Sequence, residues 1–155
     1  MQGNEATLVA DLKVGRFYNA YLLYGDEKFL TKAYTQKITD AALDGDSSDF
    51  NLVKLSGNPP FASLSEYAES LPVFAERKVI LINDFLPEKL DDKELEAYLS
   101  LISDIPETTV IVFYLTDVKM SQKFSATKKF ISAVKEHGFV CEFAQLELMK
   151  IAQLI

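Results

Sequence analysis

Four short apolar runs set the limits on what this chain can fold into. Tyr21-Leu22-Leu23-Tyr24, Val79-Ile80-Leu81-Ile82, the β-branched and aromatic stretch 108–115, and Phe139-Val140-Cys141-Glu142-Phe143 are each of strand length. They show little of the in–out alternation of a sheet with one wet face, so they read as strands buried on both faces. Between them the apolar spacing turns helical: Leu30, Ala33, Tyr34, Ile38, Ala41 and Ala42; then Leu64, Tyr67, Ala68 and Leu71; then Leu95, Tyr98, Leu99 and Ile102; then Phe124, Thr127, Phe130, Ile131 and Val134. Buried strands alternating with crossover helices predict a mainly parallel sheet covered on both sides, an α/β three-layer domain. A fifth strand is expected over 50–55, where the alternation is less regular, and an opening helix over 6–13 with Gly15 just past its end.

Local signals place the boundaries. Ser63 and Glu66 have the spacing of a capping box and predict the start of the second crossover helix. Leu71 continues that helix's core stripe, and Pro72 stops it. His137-Gly138 closes the last crossover helix. Residues 1–143 therefore form one α/β domain, and helical spacing at Leu148, Ile151, Ala152 and Ile155 marks 144–155 as the truncated start of a further helical segment.

Charge and residue usage narrow the chemistry. A net charge of −7 opposes a surface that tracks phosphates, so DNA contact is expected to be weak or absent. Lys123, Lys128, Lys129 and Lys135 read as a solvated helix face. One cysteine and one histidine preclude a disulfide framework and leave metal chemistry few partners; Cys141 reads as core. No apolar run approaches the roughly 18 residues of a membrane span, and no export pattern opens the chain, which suits a cytoplasmic protein. The turn after the first strand, Gly25-Asp26-Glu27-Lys28, lacks the further glycines and the Lys-Ser/Thr pair of a phosphate-binding loop, and its two acids would repel phosphate. An alternative use of acids is a phosphoacceptor receiver domain, with Asp26, Glu27 and Asp84 sharing magnesium and Thr116 after the fourth strand. The Lys such a domain carries after its fifth strand is replaced by Ala144-Gln145, and Asp84 is equally at home as a turn residue.

One apolar segment has no place in this scaffold. Val73 and Phe74 stand beyond the helix-stopping Pro72 and before Glu76-Arg77-Lys78, which read as a solvated approach to the next strand. They form either a plug folded back on the core or a tooth held out to a partner.

The segments 20–30 and 70–84, and more loosely most of the chain, resemble the N-terminal domain of the bacterial DNA polymerase III delta subunit, a clamp-loader component. The resemblance implies an AAA+-like P-loop fold without a functional P-loop, with the five strands ordered 5-1-4-3-2. It also implies a helical lid beginning at 144–155, no catalysis or ATPase activity, and no cofactor or metal. The family's adjacent pair of clamp-contacting apolar residues falls on Val73 and Phe74, with Leu71 and Pro72 supporting. The implied partners are the sliding clamp, which the tooth would help to open during DNA replication, and the other loader subunits, reached mainly through regions outside this sequence.

Overall fold

A computed structural model describes residues 1–45 and 50–144. The chain runs β1 (Gln2–Gly3), α1 (Glu5–Lys13), β2 (Ala20–Tyr24), α2 (Lys28–Leu43), β3 (Leu52–Ser56), α3 (Phe61–Glu69), β4 (Lys78–Asn83), α4 (Asp92–Ser103), β5 (Thr109–Tyr114), α5 (Ser125–His137) and β6 (Phe139–Glu142), with a 3-10 turn at Pro87–Lys89. All pairings are parallel, in the order β1-β6-β2-β5-β4-β3. The five expected strands thus take the implied order, and β1 is added at the β6 edge. That two-residue strand has no apolar signature; it is held by ladder bonds, with the Met1 amino group donating to the carbonyls of Lys135 and Gly138. The expected helix over 145–155 lies outside the described residues.

Successive strand residues feed two cores, which is why the strands read as unbroken apolar runs. Leu22, Ile80, Ile82, Ile111, Phe113 and Val140 pack against α3, α4 and α5. Tyr21, Leu23, Val79, Leu81, Val110 and Val112 pack against α1 and α2. On α2 the buried face also includes Thr31, Thr35 and Thr39, which the apolar spacing does not reveal. Their hydroxyls donate to carbonyls four residues back, at 3.3, 2.8 and 2.8 Å, so burial leaves these hydroxyls satisfied.

Four local expectations are corrected. Helix α3 begins at Phe61 behind Pro60, so Ser63 and Glu66 lie inside it and form no capping box. Proline presets the backbone for a helix start without a side-chain cap. The capping box occurs instead at α4, where Glu94 N–H donates to Asp91 Oδ1 at 2.7 Å. Strand β3 starts at Leu52, leaving Phe50 exposed in the preceding turn. Leu71 is not core: α3 ends at Glu69, Ser70 is already extended (ψ 145°), and Leu71 is 79% exposed. A proline disfavours helical backbone in the residue before it, so Pro72 ends the helix before Leu71 can join the stripe. Lys78 is not part of a solvated approach; it is the first residue of β4 and only 5% exposed.

Candidate functional site

The segment between α3 and β4 lies at the amino ends of the strands. Ser70 caps α3, its N–H donating to Glu66 O at 3.3 Å and its hydroxyl to Tyr67 O at 3.1 Å. Lys78 Nζ reaches back to donate to Ser70 Oγ, which joins the two feet of the loop. Burial pushes the Lys78 ammonium below its ordinary pKa. Above the feet, Asn51 receives Val73: its Nδ2 donates to Val73 O at 2.9 Å, and Val73 N–H donates to its Oδ1 at 2.7 Å. The guanidinium of Arg77 lies 4.4 Å from the centroid of the Phe17 ring, a cation–π contact that fastens the outgoing strand of the loop.

Between these fastenings the apolar side chains point to solvent. Val73 is 46% exposed and Phe74 fully so, at 106%. Phe74 takes a left-handed backbone, φ 53°, an uncommon conformation for a bulky side chain. Leu71, released from its expected place in the core, joins them, and Pro72 lies half-buried at their base. A plug would show the opposite pattern, with both rings and methyls against the sheet. Asn51 and Lys78 were missed by the sequence reading; the only local signal for either is a polar residue abutting the start of an apolar strand.

At the carboxyl ends of the strands the polar residues satisfy one another. Asp84, also left-handed at φ 59°, accepts through Oδ1 from Thr116 N–H at 2.8 Å and Asp117 N–H at 3.1 Å, tying the β4 turn to the β5 turn. Asn83 Nδ2 donates to Thr116 Oγ1 at 3.1 Å. Asp26 faces Lys119 at 3.6 Å, and Lys28 faces Asp117 at 2.6 Å, holding the Asp117 carboxyl below its usual pKa. Asp26, Glu27 and Asp84 are not brought together: among the described residues no group of three or more His, Cys, Asp or Glu side chains could hold a metal ion. The β2 turn is also closed. Phe143 N–H donates to Tyr24 O at 2.7 Å and Glu27 N–H donates to Phe143 O at 3.1 Å, so the amide at the start of α2 is already engaged.

The remaining candidates are structural. His137 ends α5 and lies 3.7 Å from Glu136. Cys141 is buried in β6, and desolvation raises its thiol to about 11, far from a nucleophile's range. Among the described residues no helix is long and apolar enough to cross a membrane.

Residues 21–138 match the family described as DNA polymerase III, delta subunit. The chain is 25% identical over 139 residues to the DNA polymerase III subunit delta of Bacillus subtilis strain 168, spanning 87% of this chain and 40% of that protein. In fold it is similar to the solved B. subtilis DNA clamp loader delta protein YqeN (TM-score 0.75, 24% identity, 96% of this chain and 45% of that one). It is also similar to a Thermotoga maritima protein related to the DNA polymerase III gamma subunit (TM-score 0.62, 12% identity, 95% and 48%). A third likeness is to T. maritima RuvB (TM-score 0.53, 15% identity, 96% and 45%). The chain thus spans less than half the length of these relatives. A match that runs from β2 to the end of α5, including the loop between α3 and β4, places this chain in the DNA polymerase III delta subunit family.

Proposed function

We propose that this domain binds the sliding clamp through an apolar tooth, Phe74 and Val73, with Leu71 and Pro72 at its base, and helps hold the ring open during DNA replication. The observation that carries the reading is the complete exposure of Phe74 at the apex of a loop fastened at both feet. An apolar ring held in water by a built loop makes energetic sense when a partner covers it. Burying two such side chains contributes about 1.5–3 kcal/mol each before ordering losses, which suits hot-spot residues. The bound tooth opens the ring only through tighter binding to the open state, so the work is done by differential affinity.

The domain catalyses nothing in this reading and needs no nucleotide or metal. Closure of the β2 turn by Phe143 and the acids beside it supports that. Contacts with other loader subunits are assigned mainly to regions outside this sequence, residues 144–155 to the start of a helical lid, and DNA contact by this domain to little or none. The test is Phe74→Ala: clamp affinity should fall by about thirtyfold or more with the melting temperature nearly unchanged. A large loss of stability would place Phe74 in the core, and micromolar ATP binding in a nucleotide titration would overturn the inactive-site reading.

A further inference from the structure

Phe74 owes its exposure to the residue before it. Asn51, itself only 2% exposed at the foot of β3, offers the Val73 backbone one acceptor and one donor, at 2.7 and 2.9 Å. A carboxamide carries the same donor–acceptor pair as a peptide group, so Asn51 gives Val73 the two bonds that a residue on a neighbouring strand would give. The Asn51 backbone carbonyl accepts from Val79 N–H at 2.8 Å, so the residue is anchored to the sheet through its backbone and to the loop through its carboxamide. With both backbone polar groups of Val73 fixed, the chain turns at Phe74 through φ 53°, and the ring leaves the surface. A left-handed bulky residue persists where its surroundings over-determine it, and such sites cluster at ligand contacts.

We propose that Asn51 is the positioning residue of the docking surface: it holds Val73 from both sides and so presets Phe74 for an apolar pocket on the partner. The inference rests on the reading of Val73 and Phe74 as the clamp contact. A tooth on an unfastened loop would lose conformational freedom on docking, and fastening it beforehand removes that loss from the binding step. Asn51 then raises affinity without touching the clamp.

Amide hydrogen exchange of the unmodified protein comes first. The Val73 amide should exchange at least about tenfold more slowly than a random-coil amide despite its place in an exposed loop; exchange at the random-coil rate overturns the proposal. In Asn51→Ala this protection should vanish while the amides of β4 and β5 keep theirs, and clamp affinity should drop about tenfold. Unchanged affinity with Val73 protection lost overturns it. Asn51→Ser, whose hydroxyl satisfies only one of the two Val73 groups, serves if the alanine variant does not fold, with a smaller drop expected in the same direction and unchanged affinity again overturning the proposal. Phe74→Ala, measured in parallel, separates the two ideas. If it binds like the unmodified protein, the tooth reading falls and the Asn51 role with it. If it loses binding and the Asn51 variants do not, the tooth stands and the Asn51 role falls.

Discussion

The two ends of the sheet use polar residues to opposite effect. At the carboxyl end, where open α/β sheets usually bind ligands, Asp84 draws two amides of the β5 turn onto itself, and Phe143 occupies the turn after β2. At the amino end, Asn51 and Lys78 bond just as specifically, yet the result is a loop that presents Phe74 to solvent. One network draws the turns together and the other holds an apolar ring out. Both hold a non-glycine residue in left-handed backbone, Asp84 at φ 59° and Phe74 at φ 53°. Asp is a common tenant of that region because its short side chain can bond locally, as it does here; Phe has no such compensation. The comparison teaches that backbone strain alone does not mark function, and that exposure distinguishes the two cases.

The sharpest way to break the comparison is to disturb the closed end. Gly25 has φ 135°, and a Cβ there would stand 2.2 Å from the Phe143 carbonyl oxygen. Gly25→Ala should therefore cost about 3 kcal/mol in denaturant unfolding while clamp affinity of the folded protein is retained. Loss of binding at unchanged stability would show that the carboxyl end takes part in docking. Phe74→Ala is the mirror image, its effect falling on affinity and sparing stability.

A smaller effect is expected at Asp84. Asp84→Ala removes the acceptor for two amides and places alanine in left-handed backbone, costing about 2 kcal/mol. Asp84→Asn keeps a carbonyl oxygen and tolerates the conformation, so it should cost less than about 1 kcal/mol. Thermal unfolding of the pair checks this, and an equal loss in both would mean that the charge, rather than the acceptor geometry, holds the turn.

How much of this was legible in the sequence depended on whether the cause was local. Strands buried on both faces announce themselves, since nearly every residue from Val79 to Ile82 or Val110 to Phe113 must be apolar. Strand order was not readable from spacing and came only through the family resemblance. The third helix misled twice: Ser63 and Glu66 fit a cap that Pro60 had made unnecessary, and Leu71 fit a stripe that Pro72 had already ended. Val73 and Phe74 could be singled out because they were apolar where the scaffold had no use for them. Asn51 could not, because its partner lies 22 residues along the chain and nothing in either segment encodes the meeting.

Leu71 offers the finest test of the difference between the ends. Were it the last rung of the α3 stripe, Leu71→Ala would remove a buried side chain and cost about 2–5 kcal/mol. At 79% exposed, just beyond the end of α3, it has little to lose on folding, and the substitution should shift stability by less than about 0.5 kcal/mol. Clamp affinity should nonetheless fall, by about threefold, because Leu71 stands two residues before Val73 and widens the apolar surface around Phe74. Unfolding and clamp titration on the same sample separate the outcomes. A core-sized loss of stability would return Leu71 to the helix and shrink the amino-end surface to Val73 and Phe74, whereas a loss confined to affinity extends that surface one step back toward Ser70.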